Sequence, residues 1–145
     1  LCYNYQDFDC MKWQLFAGLF LSWSALGASV VVNQAVPLDT LSQAQLRNIF
    51  TLRQTQWPDG KAITVLVLAD STKLHQRFSK EHLKLFPYQL NNIWDKHSFS
   101  GTGMRPLQVE NEDRMLQLLH STPGAIGYVE QLNVAPGVKE VQIEN

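Results

Sequence analysis

The chain has 145 residues, enough for one hydrophobic core and too few for two. Apolar residues make up 45% and charged residues 17%, which excludes an intrinsically disordered chain. The formal net charge is −1, and one basic and two acidic residues precede Ala28, leaving eleven of each sign after it, so no basic face is expected and nucleic acid is not an expected partner.

Met11-Lys12 followed by Trp13 to Trp23 places one positive charge ahead of an apolar core, the pattern of a secretory signal. Ala25-Leu26-Gly27 supplies small residues where a signal peptidase reads, and the cut is expected after Gly27. The apolar core is short for a membrane span, which is the alternative reading. Both cysteines, Cys2 and Cys10, precede Met11. Residues 1–10 read as an upstream extension, residues 11–27 as the signal, and residues 28–145 as one domain. On this plan the exported part has no cysteine, so neither a lipid anchor, a disulfide nor thiol chemistry is expected.

Along the domain, Ser29 to Asn33 contains Val30-Val31-Val32, a β-branched run suited to a first strand. Ser42 and Gln45 form a capping box, with Leu41 and Leu46 at the hydrophobic-staple positions, and the helix then buries Leu46, Ile49 and Phe50. A loop runs from Thr51 to Gly60. Ala62 to Ala69 is a nearly continuous apolar run, the pattern of a strand covered on both faces. Asp70 or Ser71 caps the next helix, whose apolar positions include Leu74 and Phe78. Pro87 opens another helix with Leu90, Ile93 and Trp94 on one stripe. Ser98 to Arg105 is a loop, in which Ser100-Gly101-Thr102 reads as a surface turn and Arg105 is free to pair with an anion or with Glu110. Leu107 to Val109 is a short strand, and Asn111 caps a helix over Glu112 to His120. Pro123-Gly124 turns the chain into the strand Ala125 to Val129, where Gly127 marks a bend or a close backbone approach. Val138 to Ile143 reads as an edge strand. Strands alternating with helices make an α/β three-layer sandwich around a mostly parallel or mixed sheet.

Four motifs in order carry a family resemblance. Ile49-Phe50 with Trp57-Pro58-Asp59-Gly60, then Phe78, then Trp94 with Phe99-Ser100-Gly101, and finally Thr122-Pro123-Gly124-Ala125-Ile126-Gly127-Tyr128-Val129 resemble the phosphate-binding periplasmic proteins of ABC-type transporters and their short relatives. The resemblance spans about residues 30 to 130 and implies one lobe of a type II periplasmic-binding fold, standing alone. It also implies a periplasmic location, a phosphate-like oxyanion as ligand and a membrane transporter as partner.

The junction between the strand ending near Leu68 and the helix after it is the candidate site. A helix N-terminus there directs free N–H groups outward and favours an anion, and Ser71 and Thr72 add hydroxyls. Asp70 and Ser71 fit simple helix caps equally well. The resemblance places the family's anion loop, Arg-x-Asp-x-Ser-Gly-Thr, over Leu68 to Leu74. Asp70 keeps the aspartate and Thr72 stands for the serine, while Leu68 replaces the arginine and Lys73 the glycine. Losing the arginine removes a bidentate charge-assisted contact, so a degenerate site of weak or altered affinity is expected from Asp70, Ser71, Thr72 and Lys73. The four histidines form no metal pattern, and His75 and His82, seven apart on a helical stretch, read as solvated surface residues. No nucleophile motif, P-loop or zinc-protease motif occurs, so neither an enzyme nor a cofactor is expected. The competing reading is a protein-interaction module that docks on a transporter, sensor or envelope complex.

Overall fold

Val30, Val31 and Val32 are fully buried at the centre of a five-residue strand, β1 (Ser29–Asn33), and the rest of the sheet assembles around it. The computed structural model describes residues 27–130 and 136–145; the expected extension, and the signal up to residue 26, lie outside the described residues. After β1 come β2 (Thr40–Ser42), α1 (Gln43–Phe50), β3 (Thr64–Val67), α2 (Lys73–Glu81), α3 (Pro87–Phe99) and β4 (Leu107–Gln108). Then follow α4 (Glu112–Ser121), β5 (Ala125–Val129), β6 (Val138–Glu140) and β7 (Gln142–Glu144).

The main sheet has the order β4-β3-β5-β1-β6. It is mixed: β3 runs parallel to β4 and β5, while β1 lies antiparallel to β5 and β6. The parallel half is the half in which helices connect the strands, as crossover connections require. Strand β5 shows how the two faces are divided. Successive side chains alternate between faces, so Tyr128 enters the layer of α1 and α2, where its ring stacks on Phe78 at 4.0 Å and approaches Phe50 at 6.2 Å. Gly127 faces α4 instead. The close approach expected at Gly127 is made by a side chain rather than by backbone, since a Cβ there would stand 2.8 Å from the Met115 sulfur. Helices thus cover both faces.

Local signals account for most element ends. The Ser42 hydroxyl accepts from the Gln45 N–H at 3.1 Å while the Gln45 side chain accepts from the Ser42 N–H at 2.9 Å, and both staple leucines are buried. Pro87 is the first residue of α3, and Asn111 caps α4 by accepting from the Arg114 N–H at 2.8 Å. Gly124 has φ +81, a conformation that suits glycine, and its carbonyl accepts from the Trp57 indole N–H at 3.0 Å. Trp57, Phe78 and Trp94 are buried, whereas Ile93 is only partly so.

Three expectations change. The strand foreseen over Ala62 to Ala69 contracts to β3: at its start the Ile63 N–H goes to the Thr55 carbonyl at 2.9 Å, and at its end the Leu68 N–H leaves the ladder and donates to the Tyr128 hydroxyl at 2.9 Å. The edge strand over Val138 to Ile143 divides at Val141, whose buried side chain and N–H bond to the Val30 carbonyl turn the chain. Its first part closes the main sheet as β6, and β7 pairs in parallel with β2 in a separate two-stranded sheet. His75 is not solvated: its side chain is fully buried in α2, while His82 at the helix end is half-buried.

Candidate functional site

The β3–α2 junction is shaped by Thr72. Neither Asp70 nor Ser71 caps α2; Thr72 does, accepting from the His75 N–H at 3.3 Å while its hydroxyl donates to the Ala69 carbonyl at 2.7 Å. Two hydroxyl bonds across one tight turn make it the better cap. The His75 N–H is thereby satisfied, and the Gln76 N–H reaches the Thr72 carbonyl at 3.2 Å. By helix geometry the N–H groups of Lys73 and Leu74 have no intrahelical carbonyl to reach.

The four sequence-selected residues are contiguous, but they do different things. Asp70 is half-exposed and turned toward α3, where its carboxylate accepts from the Asn91 side-chain amide. Its backbone carbonyl accepts from the Gln76 amide at 3.0 Å. Ser71 and Lys73 are exposed beside it, and Thr72 is partly buried by its capping role.

Beneath the turn lies a network that the sequence reading missed. The Tyr128 hydroxyl accepts from the Leu68 N–H and meets the His75 Nδ1 at 2.6 Å. With its acceptor side used by Leu68, the hydroxyl satisfies every partner when it donates to Nδ1, and the imidazole proton then sits on Nε2. That Nε2 is buried without a hydrogen-bond partner, 3.5 Å from the Asp70 Oδ1. Burial pushes the His75 imidazole below the usual histidine range, with Asp70 pulling part of the way back. Burial likewise pushes the Tyr128 phenol up, against a smaller opposing effect from the Leu68 hydrogen bond, so it keeps its proton.

Above the turn, Asn91 on α3 joins Asp70 to Arg105. Its carbonyl oxygen accepts from the Arg105 guanidinium at 3.1 Å, and that guanidinium also pairs with Asp95 and lies 5.8 Å from the Trp94 ring centroid. Arg105 pairs with Asp95, not with Glu110. The signal for His75 was available, since it lies on the same helical stripe as Phe78 and His82; nothing local marked Asn91 or Arg105. Ser100-Gly101-Thr102 is an exposed turn, as expected, with Gly101 at φ +70. Among the described residues no group of His, Cys, Asp or Glu could hold a metal ion, and no helix is long and apolar enough to cross a membrane.

No protein-family model and no curated protein sequence matches the chain. Its fold is nevertheless similar to solved structures of phosphate transport proteins. An ABC-type phosphate transport receptor from Vibrio cholerae superposes with a TM-score of 0.58 at 23% identity, over 81% of this chain and 46% of that one. A putative phosphate ABC transporter substrate-binding protein from Clostridium perfringens, solved with bound phosphate, gives 0.63 at 18% identity over 81% and 44%. PstS from Borrelia burgdorferi gives 0.61 at 13% identity over 81% and 47%. The chain therefore has the fold of phosphate ABC transporter binding proteins, spans less than half their length and resembles a partial lobe of them.

Proposed function

We propose that the chain is an exported solute-binding-like protein that holds a small oxyanion weakly at the N-terminus of α2. The observation that carries this reading is the first turn of α2, where helix geometry leaves the N–H groups of Lys73 and Leu74 without an intrahelical carbonyl, beside the exposed Ser71. The similarity of fold to phosphate transport proteins supports phosphate as the first ligand to try. A partly buried helix end contributes up to ~2 kcal/mol to an anion, and each hydrogen bond to charge adds roughly 1.5–3 kcal/mol before ordering costs. The balance suggests millimolar to high-micromolar binding, since about 4 kcal/mol corresponds to millimolar. Titration with inorganic phosphate followed by amide NMR tests the reading. Saturating shifts confined to residues 70–74 are expected, and their absence at about tens of millimolar phosphate would reject it.

Export is the second part of the proposal. The Met11–Gly27 pattern supports a chain released into the periplasm with its new terminus at or near Ala28, without lipid attachment. Terminal sequencing of the exported protein decides it, and retention of Trp13 to Trp23 in a membrane fraction would count against it. A second reading, an interaction module for an envelope or transporter protein, is favoured by the exposure of Phe99, Met104 and Leu107 around the loop that leads into β4.

A further inference from the structure

We propose that the outer face of α2 and the turn joining it to α3 dock on the surface of an anionic lipid bilayer. The overall balance of charge, which predicts no basic face, conceals an uneven distribution. Of the eleven residues of each sign after Ala28, residues 73–88 hold Lys73, Arg77, Lys80 and Lys84 against the single acid Glu81, leaving seven basic and ten acidic residues elsewhere. Lys73, Arg77 and Lys80 recur at the spacing that puts residues on one face of a helix, while Leu74, His75, Phe78 and Ser79 fill the buried face. Arg77 is bound to Glu130 at 3.0 Å, so the exposed cations of this face are Lys73, Lys80 and Lys84.

After α2 the chain alternates: Leu83 and Leu85 are buried, and Lys84 and Phe86 turn outward. Phe86 is 51% exposed, and Tyr88 in the first turn of α3 is 63% exposed. The two rings stack with centroids 5.9 Å apart, and the Lys80 Nζ lies 5.7 Å from the Phe86 centroid. Lys80, Lys84, Leu85 and Phe86 line a cavity of about 240 Å³, with a cationic rim over an apolar floor. Lysines near a helix C-terminus complement its dipole, but that does not account for two exposed rings beside them. Lysine ammonium groups are hydrated point charges on flexible stems, suited to diffuse negative charge rather than to bidentate recognition of one group. Aromatic rings and lysine stems favour the boundary between water and hydrocarbon. Anionic headgroups over hydrocarbon supply partners for both, whereas a soluble polyanion supplies them for the lysines alone.

The experiment is sedimentation of the full chain with vesicles of phosphatidylcholine mixed equally with phosphatidylglycerol, and with vesicles of phosphatidylcholine alone. The apolar segment Trp13 to Trp23 can enter either bilayer, so the quantity read is the ratio of the two partitions. The parent is expected to prefer the mixed vesicles. Lys80→Gln combined with Lys84→Asn should cut that preference by about twenty- to thirtyfold, at about fivefold for each lysine. Asparagine is used at Lys84 because that residue has φ +55. Lys139→Gln, which removes one charge on the edge strand β6, should change the ratio by less than about twofold. Benzoylphenylalanine in place of the exposed Tyr88 should crosslink to lipid on illumination, and in place of Lys139 it should not. Equal partition of the parent onto both vesicles, an unchanged ratio in the double variant, or an equal loss in Lys139→Gln overturns the proposal. Soluble polyglutamate that binds the chain as tightly as the mixed vesicles do, or no lipid crosslink at position 88, would instead make the partner a soluble polyanion and likewise overturn it.

Discussion

Tyr128 on β5 and His75 on α2 share a 2.6 Å hydrogen bond across 53 residues of sequence, in a core that excludes solvent from both side chains. That bond joins the last described strand of the parallel half to the helix whose first turn forms the candidate site. Because the same hydroxyl accepts from the Leu68 N–H, Tyr128 also fixes where β3 ends and the turn begins.

Tyr128→Phe should therefore destabilise the fold although it keeps the ring and its stacking on Phe78. The change removes one oxygen and leaves two buried groups, the Leu68 N–H and the His75 Nδ1, without a partner. Each orphaned buried group costs about 1–3 kcal/mol. Equilibrium denaturation should show a loss of at least ~1 kcal/mol; a smaller loss would mean that water or a shifted side chain satisfies both groups.

Stability should depend on pH through His75. Its pKa in the folded state lies below the ordinary histidine value of 6.5, so the unfolded chain binds more protons between those two values. The stabilisation is fully present above the unfolded value and is lost as pH falls from there toward the folded one. Melting temperatures measured between about pH 8 and 5 should fall toward the acid side, and His75→Phe should flatten that slope even if it lowers the whole curve. An equal slope in the variant would assign the effect to other groups.

Phe78→Ala should cost about 3–5 kcal/mol in denaturant melts. Phe78 is fully buried, stacked on Tyr128 at 4.0 Å and edge-on to Phe50 at 4.9 Å, with the His82 ring 5.5 Å away, so the cavity cannot collapse without moving the two core rings. A loss below ~1 kcal/mol would show that the three-ring cluster does not support the α1–α2 layer.

Features decided within one helical turn or one strand are legible in the amino-acid order alone. The Ser42–Gln45 capping box, the Pro87 start of α3, the Asn111 cap and the glycine turn at Gly124 all depend on residues no more than a few positions apart, and all are present. The apolar runs at Val30–Val32 and Ala125–Val129 likewise announced buried strands, because a buried strand on either side of the sheet needs little else. Choosing among caps was harder. Asp70, Ser71 and Thr72 are each competent, and Thr72 prevails because its hydroxyl can also close onto the Ala69 carbonyl. The rest depends on long-range packing. The antiparallel insertion of β1 between β5 and β6, the burial of His75 under Asp70, and the reach of Arg105 through Asn91 depend on partners that lie well beyond local reach. Local periodicity reports which face of an element avoids water, but a polar side chain is buried or exposed according to whether the rest of the fold brings it a partner. For His75 that partner is one hydroxyl on Tyr128.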